Sequence, residues 1–133
     1  MKNRFIIISV LISCILMAAP VDLNKAQRVA GNIYAERSNT GTMDGFNLRS
    51  VDIIDENSVN LIYVFQLESE GFILVAGDDR VQPLLAYSFE SSFVMEDMPS
   101  TVSWMIAAYK GMISNMIESD ESATDKVNAK WEK

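Results

Sequence analysis

The chain has 133 residues, enough for one domain with a modest core, and 49% of them are hydrophobic. It carries 11 basic and 18 acidic residues, a net charge of −7, with no histidine and a single cysteine, Cys14. Those counts leave no Cys–His or Ser–His–Asp catalytic set and no disulfide. They also argue against structural zinc and against a nucleic-acid partner.

Met1-Lys2-Asn3-Arg4 precedes an apolar run from Phe5 to Ala19. A basic start, a short apolar run and small residues at its end make an export signal, and a confident transmembrane helix needs roughly 20 residues. Leu11-Ile12-Ser13-Cys14 resembles a lipobox, the sequence cut before a lipid-modified cysteine. Cys14 is therefore a candidate lipidation site, and the competing reading makes it one more apolar residue of the leader. A lipid there would tether the domain to a membrane without spanning it. Residues 1–19 are set apart as leader and residues 20–133 as the folded domain. The expected location is outside the producing cytoplasm: periplasm, outer membrane by lipid anchor, or secreted. Once Lys2 and Arg4 leave with the leader, nine basic residues face eighteen acidic ones, a net of −9. Such acidity keeps exported domains soluble and also favours a basic protein surface as partner.

Asp22 to Ser38 predicts an amphipathic helix, with Leu23, Ala26, Ala30, Ile33 and Tyr34 near one face and Asp22 as N-cap. Asn39-Thr40-Gly41-Thr42 ends it, Gly41 suiting a left-handed turn. Phe46 to Ile54 contains a short strand, and Asp55-Glu56-Asn57-Ser58 reads as a turn. Val59 to Leu67 alternates like a strand. Glu68-Ser69-Glu70-Gly71 is a hairpin loop, Phe72 to Ala76 its antiparallel partner, and Gly77-Asp78-Asp79-Arg80 a charged turn. Pro83, with no N–H to give, can open a strand over Leu84 to Ser88. After a loop at Val94 to Pro99, Thr101 to Glu118 predicts a second helix. Its stripe is Trp104, Ala108, Met112 and Met116, flanked by Met105, Tyr109 and Ile113, with the methionines expected in the core. Thr124 to Trp131 predicts a last short helix with Val127 and Trp131 on one face. The order implies an α+β fold: a three- to four-stranded antiparallel meander with N- and C-terminal helices packed on one face.

The charged cluster Asp78-Asp79-Arg80 is the first place to look for chemistry. It lacks the D-x-D-x-D-G calcium pattern, and adjacent carboxylates in extended chain point apart, so a solvated turn with Arg80 pairing an aspartate is the expectation. No phosphate loop, dinucleotide fingerprint or nucleophile elbow is present. No spaced acidic pair stands out for carboxylate chemistry. Catalytic residues, metal ligands and cofactors are thus all expected to be none. Met95 and Met98 differ from the helix methionines, because they lie in a loop beside Glu96, Asp97 and Pro99 and are candidates for partner contact. From the residues alone, the natural task of such a domain is binding another protein.

The stretch from Asn60 to Phe93, NLIYVFQLESEGFILVAGDDRVQPLLAYSFESSF, resembles the core of the prosegment of streptopain-type cysteine proteases and of the stand-alone inhibitors related to it. The resemblance rests on Tyr63, Gly71, Phe72, Asp78, Arg80, Ala86, Tyr87, Ser88, Ser92 and Phe93. Upstream Ala26-Gln27-Arg28-Val29-Ala30 matches the opening helix. Downstream Met98-Pro99, Trp104 and Tyr109 match the second, and Lys126 to Trp131 resembles the end. The structural family motif is then Gly71, Phe72, Asp78, Arg80, Tyr87, Ser88 and Phe93.

In the proteases this segment precedes a papain-like domain with its cysteine and histidine; here neither follows before Lys133. The resemblance implies a non-enzyme that inhibits a streptopain-like cysteine protease by covering its active-site cleft as a prosegment would. It places the protease-binding edge at Met95 to Trp104, with Met95, Met98, Pro99, Ser100, Thr101, Val102 and Trp104 as candidates. Ser100 or Thr101 falls where asparagine is common in the family. The expected partner is one streptopain-like cysteine protease, bound by a monomer, with membrane contact only through a lipid anchor. Two alternatives stand: a truncated or split prosegment acting as a folding chaperone, and a surface lipoprotein binding module.

Overall fold

The computed structural model describes residues 20–133, so the export-signal and lipobox readings lie outside the described residues. Asp22 caps the first helix: its carboxylate accepts the Lys25 backbone N–H at 2.8 Å, satisfying one of the donors a helix start leaves unpaired. This helix, α1, runs Leu23–Arg37. At its end the Ser38 N–H donates to the Tyr34 carbonyl at 2.8 Å. Asn39 then takes the left-handed conformation ahead of Gly41 (φ 59° and 67°), the role asparagine fills when glycine does not.

Four strands follow as an antiparallel meander in the spatial order β1 (Leu48–Glu56), β2 (Val59–Leu67), β3 (Phe72–Ala76) and β4 (Leu84–Ser88). The last three have the predicted bounds. The first is longer than the turn residues implied, because Asp55 pairs with Asn60 and Glu56 with Val59. The turn shrinks to Asn57-Ser58, both at positive φ (51° and 65°). That is the two-residue geometry whose twist suits a hairpin, and it pulls two acidic residues into the ladder. Pro83 stands just before β4 and offers its carbonyl to the Ala76 N–H at 2.9 Å.

From Leu61 onward β2 carries no solvent-facing side: Leu61 through Leu67 are all buried. Successive strand side chains alternate faces, so both faces of the sheet must be covered. On one, Tyr63 sends its hydroxyl to the Val21 carbonyl at 2.6 Å, and Arg37 of α1 lies over the Tyr87 ring. On the other, Gln66 bonds the chain that leads into α2 (Ser100–Glu118). The single covered face expected from the sequence is therefore corrected to two, with α1 and α2 on opposite sides. The continuous apolar run Leu61–Phe65 demands it, and each such side chain removed from water contributes about 1.5–3 kcal/mol.

The face of α2 also differs from expectation. Its buried residues are Ile106 and Ile113, with Val102, Met105, Tyr109, Met116 and Ile117 half-buried against the core. Trp104, Ala108 and Met112 face solvent, so of the three helix methionines only Met105 and Met116 pack inward. The helix has two apolar stripes, and the one through Ile106 and Ile113 packs on the core. The last helix, α3 (Asp125–Trp131), is capped by Thr124, which accepts the Val127 N–H at 3.3 Å. Trp131 is buried and donates its indole N–H to the Val81 carbonyl at 2.8 Å. The Lys25 ammonium lies 5.2 Å from the centre of its ring.

Gly71 closes the β2–β3 hairpin at φ 112°. A Cβ there would stand 2.6 Å from the Ser88 carbonyl oxygen, so only glycine lets β4 approach. Gly71→Ala is expected to cost about 2–4 kcal/mol, from a strained backbone and a displaced strand. Urea unfolding should show a lower midpoint at unchanged slope; an unchanged midpoint would contradict this account.

Candidate functional site

The charged turn is turned inward. Asp78 is 3% exposed, and Arg80 grips it with Nε to Oδ1 at 2.9 Å and Nη2 to Oδ2 at 3.0 Å. The Arg80 backbone N–H adds a third bond to Oδ1 at 3.0 Å. The hydrogen bond to Asp78 raises the Arg80 pKa above its usual value, against the opposing effect of desolvation, so this guanidinium stays charged at every pH of interest. Asp79 pairs with Lys25 of α1 at 3.1 Å. Pro20 bridges to Asp78, and the Val21 N–H donates to the Gly77 carbonyl at 3.0 Å. With both Asp78 oxygens held by Arg80 and Asp79 paired through Oδ2, the turn ties the start of α1 to the sheet. Among the described residues no group of three or more metal-ligating side chains occurs.

The other motif residues gather at the open end of the β3–β4 hairpin. Gly71 lies against Ser88 and Phe89. Phe72 pairs with Ser88 across the sheet and meets Phe93 edge-on, ring centres 5.2 Å apart. Tyr87 lies opposite Ile73, its ring 5.3 Å from that of Phe89, and Ser88 accepts the Glu90 N–H at 3.2 Å. Asp78 and Arg80 hold the opposite end.

A residue the sequence reading passed over fixes the base of the segment after the sheet. Gln66, 4% exposed, donates through Nε2 to the Phe93 carbonyl at 2.7 Å and accepts the Phe93 N–H on Oε1 at 3.0 Å. Its side-chain amide thus acts as a strand partner for Phe93. The available signal was an amide at a register position shared with Ile62 and Val64, where the pattern calls for an apolar residue.

From this anchor the chain passes through exposed Val94 to Asp97, which sits at φ 51°, and Pro99, which begins α2. The candidate edge divides here. Met95, Met98 and Val102 are half-buried against the core. Pro99, Ser100 and Thr101 are exposed, and Trp104 is 76% exposed. Beyond Trp104 the outward face continues through Ala107, Ala108, Gly111 and Met112. The only charged residue of α2 before Glu118 is Lys110, drawn to Glu56 at 3.5 Å. A Cβ on Gly111 would meet nothing within 4 Å.

Gln66→Leu should leave the buried Phe93 N–H and carbonyl unpaired and cost about 2–3 kcal/mol. Trp104→Ala, at the exposed end of the same segment, should change stability by less than about 0.5 kcal/mol. Chemical denaturation of both variants checks the contrast, and equal losses would remove the distinction between anchor and exposed edge.

A family model for the Spi protease inhibitor matches residues 18–113, a span holding the meander, the Gln66–Phe93 anchor and most of α2. The thiol protease/hemagglutinin PrtT of Porphyromonas gingivalis is 33% identical over 116 residues, 83% of this chain. The chain spans 13% of that protein's length. No solved structure matches. The expected resemblance to inhibitors and prosegments of thiol proteases is borne out, and the chain belongs to the Spi protease inhibitor family.

Proposed function

We propose that this chain inhibits a streptopain-like cysteine protease by lying over its active-site cleft in the manner of the enzyme's own prosegment. Its similarity to part of a thiol protease, together with its inhibitor family, carries this reading. The working edge is Met95 to Trp104. Its base is held by Gln66, Met95 and Met98 brace it on the core, and it presents Pro99, Ser100, Thr101 and Trp104 outward. A segment held this way loses little conformational freedom on binding. It blocks the cleft without chemistry of its own, so the chain is a binding protein and not an enzyme. A stable complex needs roughly 800 Å² from each partner, and the uncharged face of α2 from Trp104 to Met112 extends the edge toward that size. The chain acts as an exported monomer, free or tethered through Cys14.

One observation favours a second reading. The match to a small share of a much longer thiol protease fits a prosegment that assists folding of a catalytic domain. That activity would speed refolding of denatured protease while leaving the mature enzyme uninhibited.

The test is titration of residual activity in a streptopain-like protease and in papain. Stoichiometric loss of the first alone is expected; no loss in any streptopain-like enzyme would overturn the proposal. Trp104→Ala should weaken inhibition by roughly 30-fold, the scale of an aromatic hot spot. Gly111→Ala should stabilise the helix by about 0.5–1 kcal/mol yet weaken inhibition, because a methyl would stand where the partner approaches. Unimpaired inhibition by both variants would move the interface off α2.

A further inference from the structure

The opposite face of the sheet holds a groove unrelated to that edge. It has a volume of about 560 Å³ and lies between α1, through Ile33 and Arg37, and β4, through Leu84 and Tyr87, with Lys130 and Lys133 along its rim. Basic residues are concentrated on the elements that flank it, and three of them, Arg37, Lys130 and Lys133, line it. α1 and residues 124–133 carry six basic residues and three acidic ones, while the rest of the described chain carries three basic and fifteen acidic. The groove lining sets three cations, Arg37, Lys130 and Lys133, against one acid, Glu36, which lies 3.7 Å from Lys133, while Lys130 Nζ donates to the Gln82 side chain at 3.1 Å.

β4 is an edge strand. Gly77 donates to Leu61 and Gly71 accepts from Leu67, so Gly71, Ile73, Val75 and Gly77 direct their backbone groups to β2. By alternation Phe72, Leu74 and Ala76 direct theirs to β4, where Ser88 and Ala86 answer them. The N–H and carbonyl of Tyr87 therefore point away from the sheet. The neighbouring outward carbonyl, that of Leu85, is closed by the Tyr109 hydroxyl at 2.7 Å. One open rung thus lies along a groove of mixed polar and apolar lining with a basic rim.

The geometry points to this groove as the docking site for an extended acidic segment of a second protein, paired through the backbone of Tyr87 and held by Arg37, Lys130 and Lys133. Strand addition supplies the backbone bonds and the rim selects the charge. The inference stands apart from protease inhibition, because it uses the α1 side of the sheet.

The probe is a blocked hexapeptide of alternating Glu and Val, titrated into the isotope-labelled full chain and followed by amide chemical shifts. Shifts should concentrate on Leu84 to Tyr87 and the facing residues of α1. The double substitution Lys130→Glu, Lys133→Glu should weaken binding about tenfold or more, with amide signals elsewhere unmoved as a check on folding. A Lys/Val peptide should not bind, and a peptide N-methylated along its pairing edge should bind at least about tenfold more weakly. The inference is overturned by no shift, by shifts mapping elsewhere, by equal binding to the charge-reversed variant, or by equal binding of the Lys/Val or N-methylated peptide.

Discussion

A strand buried along both faces governs this structure. Leu61 to Leu67 have no access to water, so the chain before β1 and the chain after β4 must both return to cover the sheet. The two polar side chains within that run each reach a returning segment. Tyr63 bonds the residue just before α1, and Gln66 bonds the residue that starts the passage to α2. A polar group buried without a partner is costly. Each of these two is therefore satisfied only when its covering segment is in place, and burial of the strand is coupled to placement of both helices. No buried side-chain polar atom among the described residues lacks a partner.

The turn at Asp78 to Arg80 solves a related problem at one end of the sheet. Here the segment before α1 crosses the β3 terminus, and its backbone needs partners; Gly77 and Asp78 supply them. Burying a carboxylate at that crossing is tolerable because Arg80 meets both oxygens and the backbone adds a third bond. Such a pair is weak grounds for net stability, since desolvation offsets much of its attraction. Its effect is directional: removing either partner would leave a buried charge, so the chain has one acceptable path there. A cluster that looks like chemistry in the sequence is thus spent on chain placement.

The sheet was legible because its short apolar runs are bounded by turns that carry Asn, Ser, Glu and Gly where the backbone reverses. The bounds of β2, β3 and β4 follow from that pattern, as does the cap Asp22; Thr124, read as the first residue of the last helix, is its cap. Asp55 and Glu56 were misleading because acidic residues resemble turn formers, whereas at a solvated sheet edge they simply extend a strand. The orientation of α2 could not be read locally. Both of its stripes are apolar, and only the sheet decides that Ile106 and Ile113 go inside and Trp104 outside. The candidate edge was placed from the family resemblance alone. Its division into bracing and presented residues was not legible, because burial of Met95 and Met98 depends on tertiary contacts. Gln66 was hidden for the same reason, since its partner lies 27 residues away.

The inverted stripe on α2 bears on what this molecule is built to do. A helix stabilising only its own domain would place polar or charged residues toward water. Here the outward side from Trp104 to Met112 is apolar or small, and its one charged neighbour, Lys110, is drawn sideways to Glu56. Gly111 sharpens the point. A glycine inside a helix costs roughly 0.5–1 kcal/mol relative to alanine, and nothing in the fold requires it, since a Cβ would meet only open space. Packing within the described domain explains neither the exposed tryptophan nor the exposed mid-helix glycine two turns on. Both acquire a use if another surface packs against this face, the first filling a pocket and the second admitting close backbone approach.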